Sequence, residues 1–352
     1  MSYIKFMSKV LVVATSPETR GGITSVISAH QKGEQWSHYH CKWIVSHVDK
    51  GLIVKCITFF KGILSYMAFL PFAEIVHIHL SEAGSALRKS CFYILALVLR
   101  KKIVIHFHSF SSETTIKGKY AWLYKFLFSH ADVIIVLSNF WKDEVNKEFK
   151  LGEKVIVVYN PCTGISNTNI YKKERIILYA GVLNQRKGYA DLINAFSRIA
   201  HKYPDWRVVF AGTGELAEGK RLAHKLGIET QVMFPGWVTD DKKDAIFKES
   251  SIFCLPSYAE GFPMAVLDAW FYGLPVITTP VGGIPDVAVD GENMLLFSPG
   301  DIVELAEKLE ILISDSALRE RMSEESLQLA RGKFGIDTVT KQIGEIYKRL
   351  LG

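Results

Sequence analysis

Cysteine is scarce in this chain, and the few cysteines stand far apart. The 352 residues include five, at Cys41, Cys56, Cys91, Cys162 and Cys254. An odd number of widely separated cysteines supports neither a disulfide framework nor a zinc knuckle. The composition therefore favours a reducing compartment, and we expect a cytoplasmic protein.

Long apolar runs and a leader sequence are also missing from the pattern. The first residues lead straight into a strand-like stretch, without the apolar region and small-residue cleavage site of a signal peptide. The most lipid-like run, Cys91 to Leu99, is far shorter than the ~20 residues that a spanning helix needs. The pattern predicts neither a signal peptide nor a transmembrane segment.

Acidic residues are few in the first half of the chain. Residues 1–160 hold 20 Lys and Arg against 11 Asp and Glu, a net charge of +9, whereas residues 161–352 hold 22 against 25, a net charge of −3. Cations flank aromatic and aliphatic residues around Arg100 and between Val54 and Leu70. This pattern suits peripheral contact with an anionic membrane, at the inner face of the plasma membrane, or a lipid-phosphate acceptor. A solvated basic face beside an ordinary buried helix would have the same composition.

Short apolar, β-branched runs alternate with longer segments of helical periodicity. This alternation predicts βαβ units and an α/β fold of two doubly wound parallel sheets, each with helices on both faces. The predicted strands are Lys9–Thr15, Cys41–Ser46, Glu74–Leu80, Lys102–Ser109, Asp132–Ser138 and Lys154–Asn160, then Arg175–Gly181, Arg207–Gly214, Val232–Trp237, Ile252–Ser257, Pro275–Pro280 and Met294–Pro299.

The same pattern divides the chain into two domains. Residues 1–160 and 174–337 are predicted to be Rossmann-like domains, joined by a polar linker with Pro and Gly over 161–173. The last segment, 338–352, has the apolar stripe of an amphipathic helix, and we expect it to pack back on the first domain.

Ligands bind open α/β sheets at the carboxyl ends of the strands. Glycines and charged residues at those places are therefore the best candidates for a binding site. Gly21 and Gly22 follow the first predicted strand and precede a helix, where backbone N–H groups favour an anion such as a diphosphate. An ordinary turn would use the same two glycines.

A basic loop stands at the corresponding place in the second half. Arg186 and Lys187 precede Gly188 and a helix, where two cations are well placed to neutralise a leaving diphosphate. Taken alone, solvated surface charges would explain the pair equally well.

The most specific pattern follows the strand that ends near Ser257. Glu260 ends a loop, Gly261 and Pro263 shape the turn, and Asp268 lies about one turn into the helix that starts near Met264. Each carboxylate can accept hydrogen bonds from vicinal hydroxyls of a sugar or ribose, while the backbone N–H groups between them face phosphate. Gly282 and Gly283 repeat the glycine pair at the next strand end.

Two His-x-His patterns end neighbouring predicted strands. His77 with His79, and His106 with His108, each place two imidazoles on one face, because side chains alternate along a strand. A metal site is one interpretation, but no Asp, Glu or Cys lies at ligand spacing beside them, and we expect no metal. Neutral histidines that hydrogen-bond sugar hydroxyls are the alternative, and His77 and His106 can also be buried structural residues.

At these residues the chain resembles the retaining glycosyltransferases of the GT-B fold, specifically glycosyltransferase family 4. The resemblance covers nearly the whole chain and is densest from Arg175 to Phe297. It implies two Rossmann-like domains facing across a cleft. The motifs that carry it are Gly21 with Gly22, His108, the Arg186–Lys187 loop, and Glu260 followed eight positions later by Asp268.

The resemblance also implies the roles of the site residues. Glu260 would bind the donor hexose, Asp268 the ribose hydroxyls, and Arg186 and Lys187 the diphosphate. Further donor contacts are implied for Gly181, Gly261, Phe262, Pro263, Met264, Ala265 and Val266. Two positions depart from the family: Asp268 stands where Glu is usual, and Val182 where an arginine is common.

From this we expect a retaining transferase that moves a hexose-type sugar from a nucleoside diphosphate sugar, UDP-linked, to a carbohydrate or lipid-linked carbohydrate acceptor. The family suggests bacterial cell-surface or exopolysaccharide synthesis. No cofactor is expected, since the donor is a substrate. One alternative is a nucleotide-sugar epimerase of the same fold. A basic nucleic-acid-binding module is another, but no groove-reading or stacking motif supports a nucleic-acid partner.

Overall fold

The protein is described here by a computed structural model, which describes residues 8–162 and 173–352. The chain separates into two compact units, Met1–Pro161 with Gly335–Gly352 (unit 1) and Cys162–Phe334 (unit 2). Most of the predicted linker, residues 163–172, lies outside the described residues. The last helix begins at Ile336 and belongs to unit 1.

Within the described residues, unit 1 contains one parallel sheet of six strands, here called sheet A. Each strand begins and ends within three residues of a predicted apolar run, because β-branched residues buried on both faces leave an unbroken signal in the sequence. The strand order is β2-β1-β3-β4-β5-β6. The strands are β1 Val10–Thr15, β2 Lys42–His47, β3 Ile75–Leu80, β4 Lys102–Phe107, β5 Val133–Val136 and β6 Val155–Val157.

Helices cover both faces of sheet A. The helices of unit 1 are α1 Gly22–His30, α2 Glu34–His38, α3 Leu52–Phe69, α4 Ala83–Val98, α5 Ala121–Ser129, α6 Asn139–Phe149 and α13 Ile336–Leu351. Buried residues of α3 to α6 form one core cluster with one face of the sheet. Residues of α1 and α13 form a second cluster with the other face. The last helix therefore completes the core of the first unit.

Unit 2 repeats this architecture with a different strand order. The part of the chain described between 173 and 334 holds a parallel six-stranded sheet, here called sheet B, of order β12-β11-β10-β7-β8-β9. Its strands are β7 Ile176–Ala180, β8 Arg207–Ala211, β9 Val232–Gly236, β10 Ile252–Leu255, β11 Val276–Thr278 and β12 Leu295–Leu296. Its helices are α7 Tyr189–Ile199, α8 Leu216–Lys225, α9 Asp240–Glu249, α10 Met264–Phe271, α11 Ile302–Ser314 and α12 Ser316–Arg331.

The prediction that Cys91 to Leu99 is the longest lipid-like run is wrong, because α3 is longer. Among the described residues, this helix is long and apolar enough, by length and composition alone, to cross a membrane: its 18 residues have a mean hydropathy of 1.6. Lys55 and Lys61 interrupt the run in the sequence, so Cys91 to Leu99 looked more lipid-like. One side of α3 packs on the sheet through Gly62 and Tyr66, while most of its surface is exposed.

Gly62 sets how closely α3 approaches sheet A. A Cβ atom at this position would lie 2.1 Å from the backbone oxygen of Val45 in β2. Gly84, in the first turn of α4, has no heavy atom within 4 Å of the same point. The two glycines therefore provide a matched pair of helical positions.

We predict that Gly62→Ala lowers the free energy of unfolding by about 1–3 kcal/mol, because the added methyl group forces the helix away from the strand. Gly84→Ala should be neutral or stabilise the protein by up to about 1 kcal/mol, since alanine is the better helix former. Urea unfolding of both variants measures the difference. Equal stabilities would contradict this packing.

Candidate active site

The strand order of sheet B reverses between β7 and β10. From β7 the chain continues to β8 on one side, and from β10 to β11 on the other. The loops that follow these two strands therefore diverge at the carboxyl edge and leave a crevice, which is where open α/β sheets bind ligands. The predicted residues Lys187 and Glu260 lie on these two loops.

The loop after β7 is tied to the loop after β10 through its backbone. Asn184 caps a short 3-10 turn over Gln185–Lys187 by accepting the N–H of Lys187 at 3.0 Å. Gly188 ends the turn with φ +66°, and a Cβ there would lie 2.0 Å from the oxygen of Pro256. Tyr258 N–H donates to the oxygen of Arg186 at 2.8 Å. Only glycine permits this approach at position 188, and the approach fixes both basic side chains.

Glu260 lies between the two basic side chains of the site and pairs with both. Its carboxylate is 8% exposed. Lys187 Nζ and the Ser257 hydroxyl, at 2.8 Å, both donate to Oε1. Arg186 Nη1 lies 3.5 Å from Oε2 and donates to the oxygen of Ala259 at 2.6 Å. Two cations face one carboxylate, so the cluster keeps one unit of positive charge that can attract an anion.

Glycines of the next loop hold the backbone of Glu260 in place. Gly282 has φ +60°, and a Cβ there would lie 2.2 Å from the oxygen of Glu260. Gly283 N–H donates to the oxygen of Gly261 at 2.8 Å. The glycine pair predicted as a repeat of the binding theme thus shapes the turn that carries Glu260.

Asp268 lies in α10 and pairs with a residue that the sequence did not indicate. Lys243 Nζ in α9 donates to Asp268 Oδ2 at 2.7 Å. Asp268 is 8% exposed. No short motif links positions 243 and 268, because the contact depends on how two helices pack. The ion pair adds a third cation to the carboxyl edge of sheet B.

The start of α10 supplies fewer N–H groups than the predicted stretch from Gly261 to Val266 suggests. Pro263, the residue before the helix, has no N–H, and Val266 N–H donates to the oxygen of Pro263 at 3.0 Å. Met264 and Ala265 lie in the first helical turn, where N–H groups have no partner within the helix. These two positions, with Phe262 before the turn, are the ones suited to phosphate.

Gly181 lies directly after β7 and closes the crevice on the side of β8. A Cβ on Gly212, which follows β8, would lie 1.7 Å from the oxygen of Gly181. Gly181 N–H donates to the oxygen of Ala211 at 3.1 Å. Val182, the residue that replaces a common arginine, is 43% exposed and adds no charge.

In unit 1 the glycine pair lies at the carboxyl edge of sheet A. Gly21 has φ +148°, and a Cβ there would meet no heavy atom within 4 Å. Backbone geometry, rather than lack of space, therefore requires glycine at this position. Gly22 is the first residue of α1.

His108 and the other predicted histidines of unit 1 form a column of stacked rings. The ring centroids of His77 and His79 are 4.7 Å apart, those of His79 and His106 are 4.8 Å apart, and those of His106 and His108 are 4.3 Å apart. His30 of α1, which the sequence did not single out, stacks on His106 at 5.9 Å. The column runs from the core towards the carboxyl edge of the sheet, where His108 is partly exposed.

Burial keeps these imidazoles neutral. Loss of hydration lowers the pKa of His30 to about 4 and, with the field of His30, the pKa of His77 to about 3. Burial and the neighbouring rings hold the pKa of His79, His106 and His108 well below the usual value. His77 Nδ1 and Tyr347 Oη of α13 share a hydrogen bond of 2.6 Å, and His79 Nδ1 and His108 Nε2 share one of 2.9 Å.

Three histidines of the column lie close enough together to suggest a metal site. Ring nitrogens of His77, His79 and His106 lie within 4.8 Å of one another. The ring planes are within 27° of parallel, so the lone pairs, which lie in those planes, run side by side and do not converge on one ion. Ring stacking accounts for these contacts, and of these three histidines only His77 and His79 are hydrogen-bonded, each through Nδ1. The absence of a metal remains a prediction.

A buried lysine beside the column was not predicted. Lys89 of α4 is fully buried, donates to the backbone oxygen of His79 and to Ser85 Oγ, and has its pKa lowered to about 7 by burial and by Arg88. Burial, with the charges of Arg88, Lys55 and Lys89, also lowers the pKa of His47 at the end of β2. The two shifts show that cations lie close together at the carboxyl edge of sheet A.

Two doubly wound parallel sheets in one chain, with a charged crevice at the edge of the second, are the architecture of the GT-B fold. Residues 165–328 match the family model of glycosyl transferases group 1, and residues 58–162 match that of Glycosyltransferase Family 4. Both halves of the chain therefore match family models of glycosyltransferases, which confirms the resemblance drawn from its motifs.

Individual relatives agree with this assignment. A protein of Haemophilus influenzae named as an uncharacterized glycosyltransferase is 32% identical over 214 residues, which are 60% of each chain. Two such proteins of Methanocaldococcus jannaschii are matched over 59% and 65% of their lengths. The structure of Anabaena HepE in complex with UDP has a TM-score of 0.75 and 17% identity, covering 97% of this chain and all of that one. This likeness concerns the fold.

The neutral histidines make the stability of the protein depend on pH. Below the unfolded pKa of about 6.5, these histidines are protonated in the unfolded chain but stay neutral in the folded protein. Each such histidine lowers the free energy of unfolding by about 1.4 kcal/mol per pH unit until its folded pKa is reached. For His30 this window runs from about 6.5 down to about 4.

We predict that His30→Leu reduces this loss of stability by up to about 1.4 kcal/mol per pH unit between about pH 6.5 and pH 4. The exposed His201→Gln is the matched control and should leave the slope unchanged. Urea unfolding at several pH values measures both. An unaltered slope for His30→Leu would show that His30 titrates normally in the fold.

Proposed function

We propose that this protein transfers a hexose-type sugar, with retention at the anomeric carbon, from a UDP-sugar to a carbohydrate or lipid-linked carbohydrate acceptor. The observation that carries the proposal is the cluster of Lys187 and Arg186 around the buried Glu260 carboxylate, beside the first turn of α10. We further propose that it acts in the cytoplasm, in bacterial cell-surface or exopolysaccharide synthesis.

The donor would occupy the crevice of sheet B through its charged parts. Lys187, Arg186 and the N–H groups of Met264 and Ala265 are suited to the diphosphate, since cations and a helix N-terminus favour negative charge. Glu260 would accept hydrogen bonds from hexose hydroxyls, and Asp268 from the ribose. In support, Anabaena HepE has been crystallised in complex with UDP-glucose.

Sugar transfer depends more on stabilisation of the leaving diphosphate than on a general base from the protein. The bond between the anomeric carbon and the diphosphate oxygen breaks, and the cations stabilise the charge that develops on the diphosphate. The acceptor oxygen bonds to the anomeric carbon on the same face, and its proton passes to a donor phosphate oxygen. In this proposal Lys187 and Arg186 take the part that Mg²⁺ plays in other transferases.

His108 would act as a neutral hydrogen-bonding group. Its lowered pKa keeps the ring neutral at physiological pH, and Nδ1, the nitrogen not bonded to His79, can form one hydrogen bond with a sugar hydroxyl. The bond with His79 at 2.9 Å fixes the ring orientation.

The acceptor would bind at the basic edge of sheet A. Arg88 has no carboxylate partner among the described residues, and it lies beside the buried Lys89, whose pKa is lowered to about 7. This arrangement suits an acceptor with a phosphate group, such as a lipid-linked saccharide. A relative from the cps region of Klebsiella pneumoniae, 25% identical, is matched over 96% of this chain and 99% of its own. This supports a role in surface polysaccharide synthesis.

Two variants separate the roles of the cluster. We predict that Lys187→Ala lowers kcat/KM by about 10²–10³-fold, because one charge at the leaving group is lost, and that it abolishes stabilisation by UDP in a thermal shift assay. Glu260→Gln should also lose transfer but keep UDP stabilisation, since both cations remain.

The control for both variants is Lys202→Ala. It breaks an exposed ion pair of 3.1 Å with Glu310 in the same unit and should change neither transfer nor UDP binding. Wild-type transfer by Lys187→Ala, with its fold intact, would remove the assignment of the diphosphate site.

Product analysis distinguishes the transferase from its alternatives. With UDP-sugar alone we expect slow hydrolysis to UDP, and with an acceptor a product that keeps the donor's anomeric configuration in NMR spectra. An isomerised donor without acceptor would instead show an epimerase. Salt-sensitive binding of random DNA without UDP affinity would show a nucleic-acid-binding module.

A further inference from the structure

Large apolar side chains are exposed far more in unit 1 than in unit 2. In the described part of the chain, fifteen such residues lie between Leu52 and Phe140, and seven lie in unit 2. Most of the fifteen belong to α3, α4 and α5 or directly follow them. Monomeric proteins rarely leave so large an apolar surface in water, and such a surface marks an interaction site.

These three helices form one continuous layer on sheet A, here called the apolar layer. Tyr66 Oη of α3 donates to the oxygen of Phe92 in α4 at 2.8 Å, and Tyr93 Oη of α4 donates to the oxygen of Leu127 in α5 at 2.7 Å. One side of each helix is thereby held by its neighbours and by the sheet. The outer side carries the exposed residues, with Leu52, Ile53, Phe60 and Leu64 each more than 60% exposed.

The charge of the apolar layer has one sign. The sequences of α3, α4 and α5 contain no Asp or Glu. Lys61 in α3, Arg100 just after α4 and Lys125 in α5 are exposed. Asp49, before α3, pairs with Lys55 at 3.7 Å, but the three helices themselves carry cations only. Such an apolar surface is complementary to lipid with anionic headgroups, where each cation adds about fivefold to the affinity.

The contacts of α3 decide how it would meet a membrane. Gly62 and Tyr66 anchor the helix to the unit, so it can cross a bilayer only by leaving that packing. Lying in the plane of the interface keeps these contacts and still buries the exposed residues. A second copy of this chain is a poorer partner, because a symmetric contact would place the cations of one layer against those of the other.

We propose that the apolar layer docks on the surface of an anionic bilayer, with α3 lying in the plane of the headgroups. This goes beyond the transferase assignment, because it concerns a different surface and no step of sugar transfer. An acceptor carried by a lipid would be met at the same membrane.

Vesicle flotation tests the proposal directly. Wild-type protein should float with phosphatidylcholine vesicles that contain about one third phosphatidylglycerol, and much less with phosphatidylcholine alone. Phe60→Asp with Leu64→Asp should lower binding at least tenfold. The matched control, Val303→Asp with Ile311→Asp on α11, changes two exposed apolar residues of unit 2 and should bind as wild type does.

The cations and the native cysteines give two further readouts. Lys61→Gln with Lys125→Gln should lower binding to anionic vesicles by about fivefold for each charge removed, and leave binding to neutral vesicles unchanged. Cys56 of α3 is exposed, so in a Cys91→Ser variant it can carry an environment-sensitive dye. The dye should shift to the blue on anionic vesicles and be quenched by labels near the headgroups.

Three results would overturn the proposal. Wild-type protein could fail to bind anionic vesicles, or the α3 double variant could bind as well as wild type. Alternatively, light scattering could show that the α3 double variant converts a dimer into a monomer without an effect on vesicle binding, which would assign the layer to a second copy. Stabilisation of each variant by UDP shows that it is folded, so failure here leaves the transferase proposal standing.

Discussion

The Glu260 carboxylate, held between Lys187 and Arg186, is the interaction on which the candidate site depends. A carboxylate with so little exposure is costly to bury unless it is paired and hydrogen-bonded. Here Lys187, Ser257 and Arg186 provide those partners. Because the cations come from the loop after β7 and the carboxylate from the loop after β10, the ion pairs fix the two sides of the crevice relative to each other.

The glycines around the cluster make this pairing sterically feasible. Gly188 and Gly282 both have positive φ, and at each a Cβ would overlap a backbone oxygen of a neighbouring loop. The backbones therefore lie in contact where the side chains must meet. The strand order places this contact between β7 and β10, so fold and site chemistry arise from the same topological feature. One positive charge remains on the cluster for an incoming anion.

Most of the fold could be predicted from the sequence, because strands buried on both faces produce continuous apolar runs. The ends of those strands also indicated Lys187, Glu260 and the histidine pairs. What could not be predicted depends on packing between elements distant in sequence. Lys243 of α9 pairs with Asp268 of α10, and the buried Lys89 of α4 bonds to the backbone of His79. His30 of α1 stacks on the histidines of two strands. The sequence left open whether the segment of α3 is buried or exposed, because composition does not tell which apolar residues face water.

The central claim is that the cations paired with Glu260 bind the donor diphosphate, and a crystal structure with UDP bound tests it most directly. We expect phosphate oxygens within hydrogen-bonding distance of Lys187 Nζ, the Arg186 guanidinium and the N–H groups of Met264 and Ala265. UDP bound elsewhere, with Lys187 and Arg186 making no phosphate contact, would contradict it.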